Sequence, residues 1–338
     1  MTPLQKSLEI LKCSELEAIE LAKAKALMVG YDLKWGEQQW HTEGVEDVVG
    51  FEIGDTGWTY KGKVDTLVSG YGHDLVMMEH KTTTQDLSDQ LHPYFTRLTH
   101  EGQVSRYHLA LYLEDKPISQ TVYDVIRKLS IKPKSIPIGT PKKLLGSRLE
   151  LQERNQYYGY DVGEHMDWES TPATEDIRLY YLRCLHTVTT QHEKYYVRVG
   201  NITRDNEALK DTYTQLLQIV DDIQRAEARG AWYQNTNSCN SYNSPCEYLS
   251  LCRGLSSESD VVWRERKGGE TSGDNTLSHS KASCFMSCRR KYYYRYVRKI
   301  EPDRPASAAL TFGSAIHLAL EEYWKNKGEE DDCEERAS

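Results

Sequence analysis

Apolar residues recur at helical spacing from the start of the chain. Leu4, Leu8, Leu11, Leu16, Ile19 and Leu27 predict one helix over residues 3–30. The period then shortens, and residues 48–53, 58–68 and 74–80 read as three strands, the second interrupted by Gly62. In the third strand Leu75, Val76, Met77 and Met78 form an unbroken apolar run, the pattern of a strand buried on both faces. Gly70 and Gly72 mark a tight connection between the second and third strands. A helix over residues 93–113 and a strand over 121–127 (TVYDVIR) follow. Residues 131–150, rich in Pro, Lys and Gly, read as loop, and residues 206–230 as an amphipathic helix closed by Gly230. Residues 255–276 have linker composition, residues 278–300 and 311–326 predict two more helices, and the tail GEEDDCEERAS is acidic and mobile.

This pattern divides the chain into six pieces. Residues 1–135 hold the first helix, the sheet and the helix after it; 136–230 are a helical and irregular extension. A cysteine cluster occupies 231–254, a linker 255–277, a helical segment 278–326 and the acidic tail 327–338. Strands and helices mixed in this way predict an α/β fold.

Composition narrows the class. With 38% hydrophobic and 28% charged residues over 338 positions, the chain reads as a globular protein of one large domain or two small ones. Its apolar stretches fall short of the roughly 20 residues that span a bilayer. Acidic residues interrupt the N-terminus, which therefore does not read as a signal peptide, so a cytoplasmic (intracellular) protein with no membrane partner is expected. A net charge of −9 disfavours a broad nucleic-acid surface but leaves room for a local one. Residues 288–299 (CRRKYYYRYVRK) alternate basic and aromatic side chains, and Arg289, Arg290, Lys291 and Arg295 are candidate contacts to a DNA backbone. Eight cysteines in an intracellular chain favour metal or redox chemistry over disulfides. Cys239, Cys246 and Cys252 form one cluster, and Cys284 and Cys288 another.

The strongest local constellation is Lys63-Val64-Asp65 followed by Met78-Glu79-His80-Lys81. Alternation along a strand puts Glu79 and Lys81 on one face, and pairing of the two strands brings Asp65 beside them. Two carboxylates can hold Mg²⁺ or Mn²⁺, and a lysine there can align a water and stabilise charge on a phosphate. The bland alternative is a surface hairpin with scattered charges. The apolar run before Glu79 argues against it, because charges at the end of a central strand usually need a reason. On the next helix Gln103 and Tyr107 share a face at i, i+4 spacing, suited to seating a nucleic-acid strand, though an ordinary amphipathic helix also has such an edge. Gly313-x3-His317 lies in an otherwise apolar helix, where a histidine is more often core than ligand.

Together these pieces resemble the RecB-like branch of the PD-(D/E)XK nucleases, which includes the AddB nuclease domain, the CRISPR adaptation exonucleases and phage homologues. The resemblance covers residues 1–130 and 231–326. It rests on His317, Asp65, Glu79 with Lys81, and Gln103 with Tyr107, and on SHSKASCFMSCRRKYYYRYVRKI as the family's opening segment. It implies a restriction-endonuclease-like core, with a mixed central β-sheet flanked by helices, and a metal-dependent exonuclease acting on DNA, single-stranded or with ends, in recombination, repair or phage replication. Asp65, Glu79, the His80 carbonyl and His317 are then the metal ligands. It also implies a [4Fe–4S] cluster on Cys239, Cys246, Cys252 and Cys288, a staple between distant segments, with Cys284 in reserve; four thiolates suit zinc as well. The motif order departs from the family. The opening segment and the His helix come last here, which implies circular permutation, with the site completed within one chain or by a neighbour. The same residues also suit a non-cleaving DNA-binding module or a zinc-stapled structural protein.

Overall fold

The computed structural model describes residues 1–70, 73–89, 92–163, 171–241, 244–268 and 273–335. Gly72, residues 269–272 of the expected linker, and the side chains of the acidic tail from 329 on, Cys333 among them, lie outside the described residues.

The chain opens with two helices where the periodicity predicts one: α1 (Pro3–Lys12) and α2 (Ala18–Trp35). Thr2 starts the first through a reciprocal capping box with Gln5, and Pro3 occupies its first turn. The break follows from local chemistry, because the Ser14 hydroxyl and amide both bond the Leu11 carbonyl and end the helix. The expected helix over 93–113 is likewise two pieces, Pro93–Thr99 and α3 (Gly102–Leu113).

The central sheet is built from β1 (His41–Glu52), β2 (Thr59–Gly70), β3 (His73–Thr83), β4 (Gln120–Arg127) and β5 (Tyr196–Ile202), hydrogen-bonded in that order. All neighbours are antiparallel except β3 and β4, which are parallel, so the sheet is mixed. The edge strand β5 and the helix before it, α4 (Ile177–Thr190), were not distinguished within the stretch read as mixed. Helix α5 (Asn206–Arg229) runs as expected, from an Asp205 cap to Gly230 in the left-handed region at φ 59°.

The expected linker is partly built into the fold. Trp263–Glu265 pairs with Ile300–Pro302, and β6 (Thr276–Leu277) adds in parallel to the start of β2. The expected helix over 278–300 is broken into α6 (His279–Ser287), a short helix at Arg289–Tyr292 and a π-helical turn at Tyr293–Val297, and the long α7 (Ala308–Glu335) follows.

One apolar core lies on each face of the sheet. Met77 points into a core with Tyr60, Tyr107, Leu216 and Phe285, while Val76 and Met78 point into a second core with Leu27, Tyr31, Ile316 and Trp324. β3 is thus the strand buried on both faces that its apolar run predicts. Among the described residues no helix is long and apolar enough to cross a membrane.

Candidate active site

The site forms where β2 and β3 part. Their ladder runs in register up to Thr66 opposite Met78. Beyond that pair the strands separate, and the Asp65 carboxylate fills the fork, its Oδ2 accepting the His80 amide at 2.8 Å. That amide belongs to a buried residue and needs a partner once the ladder ends. On the far side of the fork β6 occupies the edge of β2 that β3 has left, so the C-terminal segment helps to shape it.

Strand alternation sets Glu79 and Lys81 side by side, Nζ donating to Oε1 at 2.7 Å. Gln103, one turn before Tyr107 on α3, closes the cluster. Its amide donates to Glu79 Oε1 at 3.0 Å and to the Tyr107 hydroxyl at 3.0 Å, while its carbonyl accepts from Lys81 at 3.3 Å. Tyr107 reaches this position only because position 62 is glycine; a Cβ there would stand 2.4 Å from the Tyr107 ring. The interruption of the second strand by Gly62 is therefore the slot for the Tyr107 ring.

His317 comes from α7, more than 200 residues later, yet its Nδ1 lies 3.9 Å from Asp65 Oδ2 of the same chain. Gly313, one turn earlier on α7, faces Thr82 and Lys128, which hydrogen-bonds the Ala309 carbonyl at 2.7 Å.

The electrostatics are unusual for acids. Burial pushes the Asp65 carboxyl up to about 6, against the His80 amide and Lys81, which lower it. Burial and then repulsion from Asp65 push Glu79 up to about 7. For Lys81, burial works against the charge, but Glu79 outweighs it and the ammonium is held above its ordinary value. Burial, with His80 and Lys81 nearby, lowers His317 to about 4, so its ring is neutral at pH 7 and can offer a lone pair. Glu79 Oε2 is buried with no hydrogen-bond partner among the described residues. A buried carboxylate oxygen left unpaired beside a second raised carboxylate is the donor set that a divalent cation satisfies. Asp65 and Glu79 form a pair: among the described residues no three His, Cys, Asp or Glu side chains are gathered closely enough to chelate a metal as they stand.

Behind this face, the sequence reading missed a second constellation. His80 points away from Glu79; its Nδ1 hydrogen-bonds Asp124 Oδ2 at 3.1 Å, and its Nε2 and the Thr66 hydroxyl share a hydrogen bond at 3.1 Å. Asp124 also accepts from Tyr31 at 2.5 Å and from Arg198 at 3.2 Å, and the Trp324 indole donates to Tyr31 at 3.2 Å. The signal available was a lone Asp in the apolar strand TVYDVIR.

Cys239, Cys246 and Cys288 lie near enough to Cys252 to act on its thiol, though among the described residues no three cysteines are gathered closely enough to chelate a metal as they stand. Cys288 ends α6, and its sulfur accepts from the Asn235 amide at 3.4 Å. The Cys246 amide donates to the Cys239 carbonyl at 2.8 Å. Burial, followed by repulsion from Cys246, Cys288 and Cys239, raises the Cys252 thiol. Burial raises Cys284 to about 11. The basic residues beside them are half-buried and engaged. Arg289 bonds Asp222 at 2.8 Å, and Lys291 and Arg295 share Glu247 at 3.2 and 3.1 Å. Arg290 hydrogen-bonds the Tyr294 side chain.

Among family models, that of the PD-(D/E)XK nuclease superfamily matches residues 276–338, the segment that carries β6, Cys288 and His317. The acids at 65 and 79 lie outside the matched segment. No curated protein and no solved structure matches the chain.

Proposed function

We infer that the chain is a metal-dependent deoxyribonuclease, an exonuclease that hydrolyses phosphodiester bonds during DNA recombination, repair or phage replication. One observation carries this reading: the unpaired Glu79 Oε2 beside the raised Asp65 carboxyl, with Lys81 and Gln103 bonded into the same cluster. The similarity of residues 276–338 to a nuclease superfamily supports it.

Asp65, Glu79, the His80 carbonyl and His317 are the proposed ligands of Mg²⁺ or Mn²⁺. When bound, the cation neutralises charge on the phosphate and acidifies water. Lys81, fixed by Glu79 and Gln103, aligns the attacking water and stabilises developing negative charge on the phosphate. Gln103 and Tyr107 seat the strand. Cys239, Cys246, Cys252 and Cys288 are the proposed ligands of a [4Fe–4S] cluster that ties the C-terminal segment to residues 239–252. Arg289, Arg290, Lys291 and Arg295 brace that module and meet the DNA backbone with the faces their ion pairs leave free.

Anaerobically purified protein is expected to shorten end-labelled single- or double-stranded DNA with Mg²⁺ and to stop on chelation. A Lys81→Ala protein that binds DNA and cleaves it at the full rate would remove the reading. Iron and sulfide should reach about four each per chain; one zinc without sulfide replaces the cluster with a structural zinc site.

A further inference from the structure

A cavity of about 370 Å³ lies on the other side of α6 from the catalytic cluster. Four cations line it, Arg266, Lys281, Arg295 and Lys299, together with Ser278 and Ser280 from the start of α6. Two of the four already have carboxylate partners: Arg295 pairs with Glu247 at 3.1 Å, and Lys299 with Asp274, which also lines the cavity, at 2.8 Å. Arg266 lies over the Tyr296 ring at 4.9 Å. Lys281 is 7% exposed, and its ammonium is held by two backbone carbonyls, those of Gly273 at 3.1 Å and Asp274 at 2.9 Å. Burial brings that ammonium down to about 8, against Glu227 and Asp274, which raise it. A nearly buried ammonium whose hydrogen bonds go to neutral carbonyls is stabilised by an anion brought into the cavity. The N-terminus of α6, nine residues long, opens on the same space and adds the positive end of its dipole.

The charge balance selects the anion. Among the described residues, Arg266 and Lys281 are bonded to no carboxylate, and two such cations match a dianion. An internal phosphodiester carries one negative charge, whereas a terminal phosphomonoester carries ≈ −1.5 to −2 at pH 7. The location selects its source. His279, the first residue of α6, contacts Arg106 at 2.7 Å, and Arg106 stands on α3 between Gln103 and Tyr107. Lys281 lies 4.7 Å over the ring of Trp58, at the start of β2. Asp65 is seven residues further along, roughly 23 Å at a rise of ~3.3 Å per residue. That span is about seven phosphate steps at ~3.4 Å each.

The geometry points to a binding site for the terminal phosphomonoester of a DNA strand, held by Arg266 and Lys281 while the same strand reaches the Asp65–Glu79 pair. The proposal rests on the nuclease reading for the identity of the strand but not for the anion site itself.

Fluorescence anisotropy of the full chain without divalent cation tests it on three short oligonucleotides: 5′-phosphorylated, 3′-phosphorylated and hydroxyl-ended. One phosphorylated end is expected to bind about tenfold more tightly than the hydroxyl-ended strand. Arg266→Gln, on a half-buried and more tolerant position, should erase that preference and leave hydroxyl-ended binding unchanged; Lys281→Met should do the same if it folds. Equal affinity for all three strands overturns the proposal. So does a preference that Arg266→Gln leaves intact, or a free mononucleotide that binds as tightly as the phosphorylated strand. Cleavage without end preference removes this site and leaves the nuclease reading standing. End preference without Mg²⁺-dependent cleavage does the reverse.

Discussion

The two faces of the sheet treat a buried carboxylate in opposite ways. On one face Glu79 is fully enclosed, one of its oxygens lacks a partner among the described residues, and burial and Asp65 raise it to about 7. On the other, Asp124 is just as enclosed but receives His80, Tyr31 and Arg198. Burial alone pushes Asp124 up, yet Arg198 and then His80 outweigh it and hold the carboxyl well below the usual range. Equal burial therefore gives a stable strut where the lone pairs are met and a poised ligand where they are not. The strut fixes the position of His80, whose amide in turn holds Asp65.

The largest expected effect separates the faces by function. Glu79→Gln or Asp65→Asn should reduce Mg²⁺-dependent cleavage by about 10³-fold or more, a loss of roughly 4 kcal/mol of transition-state stabilisation. Both should leave the fold intact in circular dichroism. Asp124→Ala should act on the fold instead. Removing one member of a buried ion pair costs about 3–5 kcal/mol, read in urea unfolding, because Arg198 is left uncompensated. If Asp124→Ala were as stable as the parent, the strut would not exist.

Gly62→Ala comes next. The added methyl meets the Tyr107 ring, and overpacking of this kind costs about 1–3 kcal/mol. Cleavage should fall about tenfold through the displaced Tyr107, measured as a rise in the Michaelis constant for DNA.

The smallest effect is in pH. Asp65 and Glu79 have folded values of about 6 and 7, above the ordinary 3.8 and 4.5. The folded state therefore keeps protons that the unfolded chain has released, and stability falls as pH rises from about 4 through 7. In metal-free protein this pair should lower stability steadily across that window, read in urea unfolding at each pH. The double variant Asp65→Asn, Glu79→Gln should flatten the profile. Asp124 has the opposite sign: its stabilisation is present above its ordinary 3.8 and is lost as the pH falls further.

What could be read from the sequence follows from the range of the rules. Glu79 with Lys81, and Gln103 with Tyr107, lie two and four residues apart, within the reach of strand alternation and the helical turn. The same periodicities separated strands from helices, while the mixed central sheet was what the resemblance implied. Resemblance, rather than spacing, nominated His317 and the four cysteines. Nothing local could tie Asp124 to Tyr31 and Arg198, which are 93 and 74 residues away in sequence. The ion pairs of the basic stretch at 289–295 were not legible, because the acidic partners, Asp222 and Glu247, lie in other segments. The linker composition of 255–276 hid two short strands whose pairing partners lie elsewhere.

The central claim is that the under-paired face holds a divalent cation that cleaves DNA. The most direct measurement is a Mg²⁺ titration of the cleavage rate on end-labelled DNA, run in parallel for the parent protein and Glu79→Gln. The account predicts a saturable rise in rate for the parent and none for the variant, with both proteins equally folded. A variant that cleaves at the parental rate, or a parent whose rate is independent of Mg²⁺, would contradict it.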